Sequence, residues 1–240
     1  MFVTEGVYRF TGIFGTGVWG ANAYLLVGEK LTLVDTGFKG RAEGILKQVM
    51  NLGYSPYDIS NIIITHHHAD HIGSLSELKR ITQAKVYAHK DDAPYIEGWL
   101  PQSGPTRYGW LKWMLTPLQN MWVTMPVGVD VLLDDGDELP IMGGIKVLHT
   151  PGHTLGSISL YLKRQRLVIA GDVLIHRFFL GLPSLAFTVD IAREIESIKK
   201  LTELDFDIVC FGHGAPLVKH ARESVIRLVQ KAEKKYQKDR

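Results

Sequence analysis

"THHHADH", Thr65–His71, sets four histidines and an aspartate within seven residues, directly after the apolar run "NIIIT". A short apolar run bounded by polar residues reads as a buried strand, so the cluster lies where a strand ends. If the chain stays extended past Thr65, alternation sends His66 and His68 to one side and His67 to the other. Asp70 and His71 then fall on the turn into the helix "SLSELKRI", with Ser74 as its cap and Glu77 three residues on. One peptide thus offers two half-sites, His66 with His68 and Asp70 with His71. Each needs completion from elsewhere.

Other apolar strands end in the same way. "LTLV" runs into Asp35, "IKVLHTPG" into His153, "RLVIAG" into Asp172 and "FDIVCFG" into His213. Ligand sites in α/β sheets lie beyond the carboxyl ends of strands, so the simplest geometry puts all these residues on one rim. His153 and His213 are available to complete the half-sites, and the two carboxylate oxygens of Asp172 could bridge them. Mixed imidazole and carboxylate donors suit zinc, iron or manganese rather than calcium or cuprous ion. The bland alternative is a structural metal site, but such sites are closed, four-coordinate and often built from cysteine. Here the candidates number seven and none is cysteine, which favours catalysis. His67, His89, His149 and His220 read as ordinary core or surface residues. His176, four residues past Asp172, is placed to approach the rim, and the surface reading outweighs that one.

The strand-like runs "GVYRF", "NAYLLVG", "KLTLVDTG", "KVYAH", "VDVLL" and "SISLYL" alternate with helical spacing at 41–52 and in "DIAREIESIKKLTEL". The pattern predicts an α/β protein whose sheet layers are covered by helices, with residues 1–240 as one domain. A hydrophobic share of 45% and a charged share of 22% are those of a soluble globular chain. The net charge of +2 gives no support for a nucleic-acid partner. The one cysteine, Cys210, sits in the apolar run "FDIVCF" and reads as a buried thiol. No run of eighteen apolar residues is present, so no membrane span is expected. The start "MFVTEGVYRF" lacks a basic segment followed by an apolar one, so the expected location is cytoplasmic.

One segment breaks the alternation. Residues 95–128 hold four of the five tryptophans and three of the six methionines. An insertion this apolar must lie against something. Trp99, Tyr108, Trp110, Trp113, Met114 and Trp122 are candidates to line a pocket for a small-molecule substrate. Extra core or a homodimer interface carries equal weight. A membrane-surface contact ranks third, because Arg107 and Lys112 are the segment's only cations.

The order His-x-His-x-Asp-His, then "PGHT", "GD" and "GH", with the early "VDTG", resembles the metallo-β-lactamase superfamily over nearly the whole chain. The resemblance implies an αββα sandwich, two mixed β-sheets flanked by helices, with a dinuclear centre at one edge. It implies that His66, His68 and His153 hold one metal, that Asp70, His71 and His213 hold the other, and that Asp172 holds both. Asp35 would orient a ligand from behind. Familiar zinc β-lactamases have cysteine or serine near position 172, so the aspartate there disfavours antibiotic hydrolysis. The pattern is closer to glyoxalase II and the acyl-homoserine lactonases, and the insertion is similar to inserts that build acyl pockets in lactonase-like members. The implied activity is hydrolysis of a small apolar ester, lactone or thioester, using two divalent ions, zinc first and iron or manganese next. A metal-bridged hydroxide would attack the carbonyl, with Asp70 orienting it and Asp172 holding both ions. The alternatives on this fold are a phosphodiesterase and a persulfide dioxygenase with a single iron.

Overall fold

The computed structural model describes residues 1–11, 20–102 and 124–236. Phe2–Thr4 (β1), Val7–Phe10 (β2), Ala23–Val27 (β3), Leu31–Val34 (β4), Ile59–Ile63 (β5), Lys85–His89 (β6) and Val131–Leu133 (β7) form one sheet in that spatial order. Strands β1 to β4 pair antiparallel and β4 to β7 parallel. A second sheet is built from Glu138–Leu139 (β8), Ile145–His149 (β9), Ile158–Leu162 (β10), Leu167–Ile169 (β11) and Ile208–Cys210 (β14), in the order β14-β11-β10-β9-β8. Within it only β11 and β14 are parallel. Ile175–His176 (β12) and Leu180–Gly181 (β13) make a separate two-stranded ribbon.

Side-chain alternation sorts the core into layers. On β3, Tyr24 and Leu26 point inward with Val34 and Ile63, against Val147, Leu160 and Ile169 of the second sheet. Their neighbours Ala23 and Leu25 point outward with Leu33 and Ile62. There they meet Ile45, Leu46 and Val49 of Ala42–Asn51 (α1) and Leu75 and Leu78 of Leu75–Thr82 (α3). The outer face of the second sheet presents Leu148, Tyr161, Val168 and Val209. These pack on Ile198 and Leu201 of Ile191–Thr202 (α5) and on Val225 and Val229 of Ala221–Tyr236 (α6). The layering is helix, sheet, sheet, helix, the αββα sandwich that the motif order implied. Each fully buried Leu, Ile or Val contributes about 1.5–3 kcal/mol, so the layers supply a rigid base for the loops above them.

Short helices Ala69–Ile72 (α2) and Ala93–Ile96 (α4) follow β5 and β6. Two backbone bonds tie the sheets together at the strand ends. Ile158 N donates to Thr65 O over 2.9 Å, and Asn22 N donates to Gly212 O over 2.7 Å. Helix α1 ends one residue short of the expected 52, and Gly53 turns the chain with φ +88°.

Ser74 departs from expectation. It occupies the cap position of α3, but its side chain makes no cap hydrogen bond. Instead Oγ donates to Phe38 O at 2.7 Å and accepts from Arg41 N at 2.8 Å, fastening the loop before α1. A tertiary partner outcompetes the local cap. The two ends of the insertion are pinned together. Val127 N donates to Ile96 O at 3.0 Å, Val129 N donates to Glu97 Oε1 at 3.0 Å, and Gln102 bonds Thr124. Trp99 is 78% exposed and its indole N–H donates to Glu97. Tyr108, Trp110, Trp113, Met114 and Trp122 lie outside the described residues.

Candidate metal centre

The rim is assembled by a simple rule of position. His66, Asp172 and His213 each stand three residues past the end of a strand, β5, β11 and β14 respectively. His153 stands four past β9, and Asp35 one past β4. Because β4, β5, β11 and β14 each run parallel to a neighbour, their carboxyl ends share one edge of the sandwich.

The seven candidate ligands converge there. His68 Nδ1 lies 2.9 Å from His153 Nε2, and the ring of His66 sits edge-on to both. On the other side His213 Nε2 is 3.1 Å from Asp70 Oδ2 and 3.1 Å from Asp172 Oδ2. Asp172 spans the two sets. Its Oδ2 is also 3.7 Å from His153 Nε2, and its Oδ1 is 3.5 Å from His71 Nε2. Donor atoms of His66, His68 and His153 lie within 4.8 Å of one another, as do those of Asp70, His71 and His213. Those of His66, His71 and Asp172 form a third such group between them. Alternation through "HHH" therefore works as expected. His66 and His68 face inward, while His67 turns away, its ring stacked on Tyr95 with centroids 4.2 Å apart.

Three atoms test whether the residues fit metal ions. His66 Nε2, His71 Nε2 and Asp172 Oδ1 are buried and have no hydrogen-bond partner in the protein. Leaving such groups unsatisfied costs about 1–3 kcal/mol each, so three facing one another call for a ligand. The opposite ring nitrogens are held from behind, which fixes the inward ones as donors. His71 Nδ1 meets Asp35 Oδ2 at 2.8 Å, His66 Nδ1 meets Thr65 Oγ1 at 3.1 Å, and His213 Nδ1 meets Gly20 O at 3.2 Å. Asp35 also accepts from Thr65 N at 2.8 Å and Thr65 Oγ1 at 2.7 Å. It takes φ +59°, a conformation disfavoured for a non-glycine residue, which these bonds maintain.

Electrostatics agree with a cation site. Burial would raise the pKa of Asp172, but His213 and His71 outweigh it and hold the carboxyl well below its usual range. Burial would likewise raise Asp70, and His71 and His213 again prevail. Burial lowers His66 and His68 and brings His153 to about 4, so these three imidazoles are neutral donors at pH 7. Burial also opposes charge on His71 and His213, yet the carboxylates around them raise both, His213 to about 9. A ligating imidazole must be neutral, so ions compete with those two protons. Metal uptake near pH 7 is expected to release about two protons, and affinity to rise with pH up to the raised pKa values. Calorimetry in buffers of different ionisation enthalpy measures this. Uptake without proton release would remove His71 and His213 from the ligand set.

Some residues stand apart from the centre. His89 and His149 stack face to face, 4.0 Å between centroids and 12° between planes. With Asp91 they form another metal-capable group, but stacked rings direct their lone pairs side by side instead of at one point. His149 Nε2 is also committed to Leu155 O at 2.8 Å. The ring of His176 bonds Ala215 O through Nδ1 at 2.7 Å and rests on Phe211, while its backbone N donates to His213 O at 3.0 Å, so its peptide supports the rim.

Three neighbours of the centre escaped the sequence reading. Asp92 is buried and bonds the loops of both His66 and His153. It stands three residues past β6, so the strand-end rule contained it. Glu194 is fully buried on α5, and burial, then the charge of Asp172, pushes its carboxyl up to about 9. Its spacing from Ile198 and Leu201, four and seven residues on, puts it on the buried stripe of α5, but a glutamate there reads as a solvent-facing charge in the sequence. Gly212 comes against Asp172 and His71 with no room for a side chain.

The chain matches the family model of the metallo-beta-lactamase superfamily over residues 16–213. It is 30% identical over 240 aligned residues to the probable metallo-hydrolase YflN of Bacillus subtilis, covering 92% of this chain and 90% of that protein. A hydroxyacylglutathione hydrolase of Bartonella quintana is 33% identical over 158 residues, 65% of this chain and 49% of that protein. Among solved structures, a metallo-beta-lactamase family protein of Thermus thermophilus superposes with a TM-score of 0.74 at 24% identity. That match covers 98% of this chain and 80% of that one. Fold and site together define a metal-binding hydrolase class. The chain belongs to the metallo-beta-lactamase superfamily.

Proposed function

We propose that the chain, read as one domain over 1–240, hydrolyses a small apolar ester, lactone or thioester at a centre holding two divalent ions, zinc in the first instance. The observation that carries this is Asp172, whose two oxygens reach the His153 side and the His71–His213 side at once. His66, His68 and His153 would hold one ion, Asp70, His71 and His213 the other, and Asp172 both. When bound, such a pair supplies Lewis acidity and brings a shared water to a pKa of about 7.

The protein's own groups do the rest. Asp70 is the most open of the acidic ligands, its side chain 15% exposed against 7% for Asp172. That exposure supports a place for Asp70 on the substrate's side of the centre, where its carboxylate would orient the attacking water. Phe187 stands edge-on to His68 with centroids 6.4 Å apart, and Leu155, just past His153, is partly exposed. These apolar groups favour an apolar acyl chain over a phosphate. The relative named for hydroxyacylglutathione, itself an acyl thioester, supports the thioester arm. Trp99 and the tryptophans of 103–123 remain candidates for the far wall of the pocket or for a homodimer contact.

A panel of lactones, thioesters, simple esters, β-lactams and phosphodiesters, assayed alongside metal analysis, tests the reading. Turnover of a carbonyl substrate with two ions per chain is the expected result. Turnover confined to phosphodiesters would overturn it. One iron per chain with dioxygen consumed on a persulfide would move the protein to the oxidoreductases.

A further inference from the structure

Asp92 is 1% exposed and belongs to neither ligand set, yet it joins the loops that carry one of them. Its Oδ2 accepts from His67 N at 2.8 Å and lies 3.0 Å from His67 Nδ1. The same oxygen accepts from Thr154 Oγ1 at 2.9 Å, and Oδ1 accepts from Gly156 N at 2.8 Å. His67 stands between His66 and His68, and Thr154 follows His153. One carboxylate therefore fastens the loop after β5 in the first sheet to the loop after β9 in the second. The approach is close enough to require glycine at 156, where a Cβ would fall 2.5 Å from Asp92 N and 2.7 Å from Oδ1.

The other ligand set has a different anchor. Asp35 holds His71 directly, and Thr36 donates to His71 O through both N and Oγ1, each over 2.7 Å. Neither Asp35 nor Thr36 bonds the 153–156 loop among the described residues.

We propose that Asp92 is a positioning residue for one ion of the pair, keeping His66, His68 and His153 in register, while Asp35 holds His71 of the other set directly and touches this set only through Thr65. His67, which donates no ligand, is the handle by which Asp92 grips the histidine run. The proposal rests on the two-ion reading above and adds that His66, His68 and His153 have a brace across the two sheets that Asp35, which reaches His66 only through Thr65, does not supply.

The test uses the full chain stripped with a chelator and titrated with Co²⁺, read by visible absorption and equilibrium dialysis. H153A and H213A provide reference spectra for loss of each half-site. In D92N one acceptor oxygen becomes a donor facing other donors. One ion is then expected to bind about 10–100-fold more weakly, the usual scale for losing a partner behind a ligand. The spectrum of the remaining ion is expected to match H153A and not H213A. Wild-type affinity for both ions, or equal weakening of both, would overturn the proposal. If D92N fails to fold, T154V, which removes one donor and no ligand, decides. Selective weakening of the same ion supports the proposal, and unchanged binding overturns it. A wild-type chain that takes up fewer than two ions would instead bring down the two-ion reading, and this proposal with it.

Discussion

Replacing Asp172 with alanine is expected to abolish hydrolysis and to lower the metal content to one ion or none. Its Oδ2 lies 3.1 Å from His213 Nε2 and 3.7 Å from His153 Nε2, and its Oδ1 lies 3.5 Å from His71 Nε2, so one carboxylate reaches both sides of the centre. Without it His153 on one side and His71 with His213 on the other have no common partner. Metal ions contribute several kcal/mol of stabilisation to a developing charge, and 1.36 kcal/mol is tenfold in rate, so a loss of about 10³-fold or more follows. Asp172→Asn separates charge from shape. It keeps the volume in a site only 6% exposed but halves the acceptor capacity. It is expected to retain the fold and lose at least one ion. The depressed carboxyl pKa of Asp172 adds a control in the metal-free protein. A carboxyl with a lowered folded pKa stabilises above its unfolded value, near 4, and loses that contribution as pH falls. The wild type should therefore lose more stability than Asp172→Asn on acidification. Full activity with two ions in either variant would end the assignment of Asp172 as the bridge.

The sequence could place the candidate ligands on one rim because each follows a recognisable apolar strand, and the alternation in "HHH" separated His67 from its neighbours. That logic is local, and it succeeds where local geometry decides. It failed at Ser74, where a correct cap position lost its hydroxyl to Phe38 and Arg41, more than thirty residues away. It could not show that Glu194 is buried, because α5 presents that residue to a surface built by the 151–153 turn. Gly152 there comes so near that a Cβ would be 2.4 Å from Glu194 Cα. Asp92 was within reach, since "KVYAHKDD" ends a strand as "RLVIAGD" does, but its neighbours His89 and Asp91 look equally eligible. Only the approach of 154–156 distinguishes it. What remained hidden depends on pairs of loops from different sheets, and one strand's sequence holds only half of each pair.

Gly212→Ala carries the second large effect, and it acts by volume instead of by charge. Gly212 has no left-handed φ, so alanine could adopt its backbone conformation. Space is the obstacle. A Cβ there would lie 1.9 Å from Asp172 Oδ1 and 2.7 Å from His71 Cε1, each a member of the centre. The backbone cannot withdraw easily, because Gly212 N donates to Gly171 O at 2.8 Å and Gly212 O accepts from Asn22 N at 2.7 Å. Relief must come from Asp172 rotating away or from the loop carrying His213 shifting outward, and either displaces a ligand. Overpacking of this kind costs about 1–3 kcal/mol of stability. A misplacement of roughly 1 Å among reacting groups costs about 10²-fold in rate. The expected variant is folded, melts somewhat lower and has lost about 10²-fold activity, with one ion bound less tightly. Gly181→Ala, at a position with nothing within 4 Å of the added carbon, is the matched control and should behave as wild type. If Gly212→Ala kept wild-type activity and two ions, the contact between Gly212 and the Asp172 carboxylate would not exist in the working protein, and the bridging geometry built on it would have to be redrawn.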